Sequence, residues 1–493
     1  MPKSPKALVS EMNKSVFRPL LAVLYLGFAV GNLVLLSKYN IYVGDDGYLA
    51  SYLYEYHFTG DRTFMFCLNW PIHQFLVATL GAAYRWLYDA HLCLMELLGV
   101  DYYRINALSA ALFLLTFLLF IWTVAQRRTG WLMAACVVVF GSLEPFLVMS
   151  HSIRMESIIL LGLAIGTYGL SRNRWDMYVK GLMFLSALLI INTHLGGWPL
   201  LVGLASATLY LYGARALFIY LVSCAISLVV YLFLNDLASP EAIRRLLATY
   251  HAQDSVSSYT RAHVLGDLAH YFLAAKYKRH LIEFMIIGAF LLTVWRWEIL
   301  ERVSRALILA IIVAFFAYVI LFSYINPYYL VYFYFLMLVV IALSGDNLME
   351  RRQSQVAGTV LAFPFVVLYL AIFAMFVNSP GWTGITAHRT ELLRHLPSVG
   401  MFAAPEYFVN LDPARRRFMV PLAQANSASG CLAQKNDPRG FVAMIADTRQ
   451  DSLVKPYLDR FQVAARVHIG RLATQGLSDD GDLFVYVHRA ERQ

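Results

Sequence analysis

The chain alternates long apolar runs with short polar breaks, and that rhythm predicts its elements. Apolar stretches fall at about 19–37, 104–125, 131–149, 155–171, 177–191, 198–213, 216–234, 281–296, 305–323, 328–345 and 356–377. Most approach the roughly 20 residues that a helix needs to cross a bilayer. Eleven transmembrane helices are predicted. Beyond the last run the pattern changes. Asn378-Ser379-Pro380-Gly381 reads as a linker, and the tail is mixed and charged, with Pro405, Asp412-Pro413 and Asp437-Pro438 as turn signals. Short apolar runs at Val399–Ala404, Phe441–Ala446, Phe461–Val467 and Leu483–His488 predict strands, and Val454–Asp459 a helix. The expected fold is an α-helical polytopic membrane protein over 1–377 with a small α/β domain at 378–493.

The polar breaks predict orientation. With the N-terminus in the cytoplasm, the inner turns hold Arg127 and Arg128, Arg172, Arg174 and Lys180, Arg215, Arg296, Arg302 and Arg305, and Arg351 and Arg352. The short outer turns hold almost no basic residue beyond Arg154. This is the positive-inside pattern, and it puts the C-terminal domain outside the cell membrane. The segment 72–98 tempts a twelfth span, but counting it would invert every later turn. It carries Arg85, Asp89, His91 and Glu96 and is expected to lie as interfacial helices in the first outer loop. Tyr48, Tyr52 and Tyr56 in that loop form one helical stripe suited to the headgroup layer.

Composition agrees with a membrane protein. Of 493 residues 59% are hydrophobic and 14% charged, against roughly 25% charged in a soluble domain. The net charge of +9 could suggest nucleic acid, but the basic residues form no stripe or tail, so nucleic acid is not an expected partner. Five cysteines show no metal-ligand spacing; Cys67 and Cys93 share one predicted outer loop, and whether they pair stays open.

The candidate chemistry gathers at the predicted outer boundary. Asp45-Asp46, between Gly44 and Gly47, follows the first run by a few residues. Two adjacent carboxylates repel, so one is expected to hold its proton more tightly or a cation to bridge them. Arg154 and Glu156 begin the fourth span at the same depth, either bonded to separate ligand or protein partners or clamping helix tops. Asn192-Thr193-His194-Leu195-Gly196-Gly197 ends the fifth, and Asn326-Pro327-Tyr328-Tyr329 precedes the tenth. Lys276, Lys278, Arg279 and His280 cluster on the outer side, where phosphate attraction and a solvated helix flank both remain open. The tail has no phosphate loop, nucleophile elbow or paired metal ligands.

These motifs resemble those of the glycosyltransferase C superfamily. Asp45-Asp46-Gly47-Tyr48 is similar to its acidic signature after the first span, and Trp70-Pro71 with the apolar stretch that follows resembles its second interfacial helix. Arg154-Met155-Glu156 and His194-Leu195-Gly196-Gly197 resemble its fourth-span and fifth-to-sixth-turn motifs, as does the aromatic run Tyr328–Phe335. The nearest subgroups look like bacterial relatives of protein O-mannosyltransferases and of lipid A aminoarabinose transferases. The likeness is best over 1–215, weaker over 216–377 and architectural in the tail. The basic residue expected soon after the acidic pair has no direct counterpart unless Arg62 or Arg85 serves.

The resemblance implies inverting sugar transfer from a polyprenyl-phosphate donor to an extracytoplasmic glycan, lipid or protein. Asp45, with Asp46 beside it, would be the general base. Arg154, Lys276, Lys278 and Arg279 would face the leaving phosphate, with Glu156, His194, Tyr329 and His73 as further substrate contacts. No nucleotide or other cofactor is implied; a divalent cation at Asp45 and Asp46 is left open. Two rival classes are a lipid or polysaccharide transporter and a non-catalytic assembly subunit. A transporter would place charges along a path to the midplane and show inverted repeats, neither of which the sequence displays.

Overall fold

The first helix, α1 (Pro5–Lys38), starts well before its apolar run and passes through Pro19. Its outward stripe of Val23, Leu26, Val30 and Leu33 is exposed, whereas Leu21, Asn32 and Leu35 are buried. That is a lipid-facing side and a protein-facing side on one helix. The computed structural model describes residues 5–38, 107–126, 130–151, 156–234, 239–241, 244, 266, 282–321, 329–377, 394–404, 417–421, 441–447, 454–470 and 481–489. The expected interfacial helices at 72–98, the tyrosine stripe at 48–56, and Cys67 and Cys93 lie outside these residues.

A helix occupies each of the other ten apolar runs: α2 (Ala107–Ala125), α3 (Trp131–Ser142), α5 (Glu156–Ser171), α6 (Met177–Ile191), α7 (Trp198–Tyr212), α8 (Ala214–Leu234), α9 (Phe284–Trp295), α10 (Arg302–Leu321), α11 (Leu330–Leu348) and α12 (Arg351–Val377). The run at 131–149 divides. Leu143 is extended, and Glu144-Pro145 open a short helix, α4 (Glu144–His151). Pro145 lacks the N–H that would continue α3 and is tolerated in a first turn, where Glu144 also suits the helix dipole. Among the described residues, four helices are long and apolar enough to cross a membrane, namely Phe17–Leu35, Ala214–Phe233, Arg302–Ile320 and Arg352–Ala374. Seven further apolar helices have 10–17 residues. The protein is an integral membrane protein.

Lipid is as apolar as leucine, so helices in a bilayer associate through close packing and small residues. Here α5 meets α6 at Gly162 and Gly166, where an added Cβ would crowd Ile190 and Ser186. α7 crosses α10 at Gly203, where a Cβ would lie 2.5 Å from the Ala310 carbonyl oxygen. The last helix returns to the first: α12 packs against α1 and α3, with the Tyr369 hydroxyl against Gly31 and the Trp131 carbonyl against Gly358. Between them lies a block of rings. Phe140 sits 5.0 Å from Phe117, 4.8 Å from Phe120 and 4.4 Å from Phe146.

The tail forms a mixed sheet with strands β1 (Gly400–Ala404), β2 (Arg417–Pro421), β3 (Phe441–Asp447), β4 (Phe461–Gly470) and β5 (Gly481–His488), in the order β2-β1-β3-β5-β4. β1 is parallel to β2 and β3, while β5 is antiparallel to β3 and β4. Ala443 to Ala446 are buried in succession, so both faces of the central strand are covered. The expected helix at 454–459 is only a 3-10 turn, Lys455–Tyr457. A stretch of about six residues closes too few backbone hydrogen bonds to offset the cost of nucleating an α-helix.

Candidate active site at one end of the bundle

Four helix termini converge at one end. α5 begins with Glu156, α6 ends before His194, α10 ends just past Tyr318, and α11 begins after Tyr329. The turn from α6 to α7 runs through a 3-10 segment, Leu195–Gly197, and Pro199 helps start α7. The Tyr318 hydroxyl donates to the Gly196 carbonyl. The Gly196 N–H in turn donates to His194 Nδ1 at 2.8 Å. That bond makes Nδ1 the acceptor, so the proton of the neutral ring sits on Nε2.

The aromatic rings complete the arrangement. Tyr329 lies with its ring centre 6.3 Å from His194, 5.7 Å from Tyr318 and 6.1 Å from Tyr332. Gly196 is required there, since a Cβ would lie 2.9 Å from the Tyr329 hydroxyl. Glu156 is 3% exposed, and its carboxyl group lies close enough to act electrostatically on Tyr318. A carboxyl group this deep in a membrane protein is costly and marks a functional position by default. The group offers an acid, an imidazole N–H and phenols, a set able to hold phosphate or sugar hydroxyls.

The opposite end is chemically different. Arg172 lies 6.0 Å over Tyr168 and 5.9 Å over Tyr178, Arg302 5.9 Å over Tyr210, and Arg305 5.8 Å over Trp297. Basic groups with aromatic partners are what a membrane interface selects.

Of the residues singled out in the sequence, Glu156, His194 and Tyr329 come together as just described. Asp45, Asp46, His73, Arg154, Lys276, Lys278 and Arg279 lie outside the described residues. Sequence reasoning missed Tyr318, which bonds the carbonyl of the turn after His194 and lies beside Tyr329; its only signal was a phenol in the last turn of an apolar run. Among the described residues no group of three or more His, Cys, Asp or Glu could hold a metal ion.

No family model matches the chain, and no curated protein is significantly similar to it in sequence. Its fold is nonetheless shared with solved structures. In particular it is similar over nearly its whole length to ArnT from Cupriavidus metallidurans. The apo structure of ArnT gives a TM-score of 0.60 at 13% identity, covering 94% of this chain and 97% of ArnT. The ArnT structure bound to undecaprenyl phosphate gives 0.56 at 12% identity, covering 98% of both chains. An Archaeoglobus fulgidus oligosaccharyltransferase, in complex with zinc and sulfate, gives 0.46 at 11% identity over 87% of this chain and 68% of its own.

Proposed function

We propose that the protein is an inverting membrane glycosyltransferase that moves a sugar from a polyprenyl phosphate to an acceptor outside the cytoplasm. The observation that carries this reading is the near full-length fold likeness to ArnT, a protein that binds undecaprenyl phosphate. The buried acid, imidazole and phenols at one end of the bundle support it. In this reading residues 1–377 span the membrane with the N-terminus inside, and 378–493 form the extracytoplasmic domain.

The acceptor hydroxyl oxygen attacks the anomeric carbon, and the bond from that carbon to the phosphate oxygen breaks. Asp45 takes the hydroxyl proton, with Asp46 placing the base or the substrate. The polyprenyl phosphate leaves with an added negative charge, met by Arg154, Lys276, Lys278 and Arg279. His194, Tyr329 and Glu156 would make further contacts to the donor's phosphate and sugar.

The test is native mass spectrometry of the purified protein, followed by transfer assays on any glycosyl polyprenyl phosphate that co-purifies. A bound donor, and transfer lost in the Asp45→Asn, Asp46→Asn double variant with the fold intact, is the expected result. Full transfer by the double variant removes the reading.

A further inference from the structure

Glu156 is not the only buried acid. Glu283, in the turn that opens α9, is 3% exposed, and it lies outside the group of side chains around Tyr318. Across the packed faces of α9 and α11, the Tyr334 hydroxyl donates to Glu283 Oε2 at 2.5 Å. Tyr334 is itself 1% exposed. The bond joins two buried polar side chains on different helices. An apolar pair of equal volume would fill such a site without the desolvation cost, so stability alone does not account for the acid.

What the pair holds is the start of α11. Tyr334 follows Tyr329 by five residues, about 7.5 Å along the axis and roughly 140° around it. The first turns of this helix are thus held on two faces. Tyr329 and Tyr332 stand on the side of Tyr318 and His194, and Tyr334 is held by Glu283 on another. We infer that Glu283 is a positioning residue: by holding Tyr334 it fixes the rotation of α11 and keeps Tyr329 against His194 and Tyr318. That this wall serves a polyprenyl phosphate rests on the glycosyltransferase reading; the brace itself does not.

The experiment compares Glu283→Ala, Glu283→Gln and Tyr334→Phe in the full chain in detergent, by hydrogen exchange and by titration with undecaprenyl phosphate. Amides at 193–197 and 329–333 should exchange about tenfold faster in Glu283→Ala and Tyr334→Phe, with those of α5 unchanged, because opening is local. Glu283→Gln keeps an acceptor oxygen and should restore most of the protection. The apparent Kd for undecaprenyl phosphate should rise about fivefold to tenfold in the same two variants, and not in a Tyr329→Ala background. Unchanged exchange at 193–197 and 329–333 overturns the inference, and so does faster exchange spread evenly over all helices. Local loosening as expected, in a protein that binds no undecaprenyl phosphate, upholds the brace and fails the glycosyltransferase reading instead.

Discussion

Asn32, near the end of α1, donates a hydrogen bond of 3.2 Å to Ser150, in the last turn of α4. Ser150 in turn donates its hydroxyl to the Leu147 carbonyl at 2.8 Å, and Leu147 packs on Leu35 one turn beyond Asn32. The two helices are therefore pinned just before the chain leaves α1 toward Asp45 and leaves α4 toward Arg154 and Glu156. Asn32 is 1% exposed, and its Oδ1 finds no partner among the described residues.

Removing that pin should matter twice. Asn32→Ala is expected to lower stability by about 1–2 kcal/mol, the worth of a buried bond and a small void. It should also lower transfer by about tenfold at saturating donor, because the two loops lose their common anchor. Thermal unfolding in detergent and steady-state transfer check the two parts separately. Wild-type values of both would show that the bond holds nothing of consequence.

The acidic pair should behave asymmetrically. Asp→Asn conserves size and hydrogen bonding while removing basicity, and loss of a general base costs about 10²–10⁴-fold. Asp45→Asn should fall in that range with donor binding kept, and Asp46→Asn should cost less. Rate and binding measured on both variants decide it; the reverse order would move the base to Asp46.

Two glycines should respond oppositely to alanine. Gly181, on α6, has nothing within 4 Å of an added Cβ, so Gly181→Ala should be neutral or stabilising by up to about 1 kcal/mol. Gly203 faces the Ala310 carbonyl oxygen at 2.5 Å, and backbone cannot turn aside as a side chain can. Gly203→Ala should melt lower than Gly181→Ala, since overpacking of about 1–3 kcal/mol outweighs the gain in propensity. Equal melting temperatures in one detergent would mean that α7 and α10 can move apart freely.

The sheet carries an acid-sensitive link. On β5, Asp482 accepts from Arg466 Nε at 2.6 Å and lies 3.0 Å from His468 Nδ1, both on β4. Arg466 first, then His468, holds the Asp482 carboxyl below its ordinary range. A lowered folded value means the link stabilises fully above about pH 4 and is lost as pH falls through the lower value. Wild-type protection of 461–488 from hydrogen exchange should therefore fall toward that of Asp482→Asn on acidification, and salt should weaken it at neutral pH. A constant gap between the two proteins across that range would exclude the link.

Orientation gives a separate test. Tags placed at Ala90 and after Gln493 should both be cut by protease added on the extracytoplasmic side, as the positive-inside pattern of the sequence predicts. Protection of either would change the count of spans.

The bundle was legible because a long apolar run is a signal of length, and every such run is helical. Glu156, His194 and Tyr329 were legible as neighbours because alternate helix ends must share one side. Tyr318 was not: a tyrosine inside an apolar run has no mark that says protein rather than lipid. Glu283 was hidden the same way, two residues into a run read as a span. In the tail, β2 was masked by Arg415, Arg416 and Arg417, whose charge outweighs the short apolar stretch that follows. Pro145 was visible too, but the apolar run at 131–149 continues past it and reads as one span, which the proline in fact divides.

The return of α12 to α1 sets an order on biosynthesis. Gly31 packs under Tyr369, and Phe28 lies 5.4 Å from the same ring, so this flank of the first helix waits for the last. While the ribosome is still making the helices between, that flank has only lipid or insertion machinery to face. A nascent chain halted before Arg351 should leave α1 open to photo-crosslinking from position 28 to whatever escorts it. Release to Tyr369 would then mark the moment the membrane unit closes.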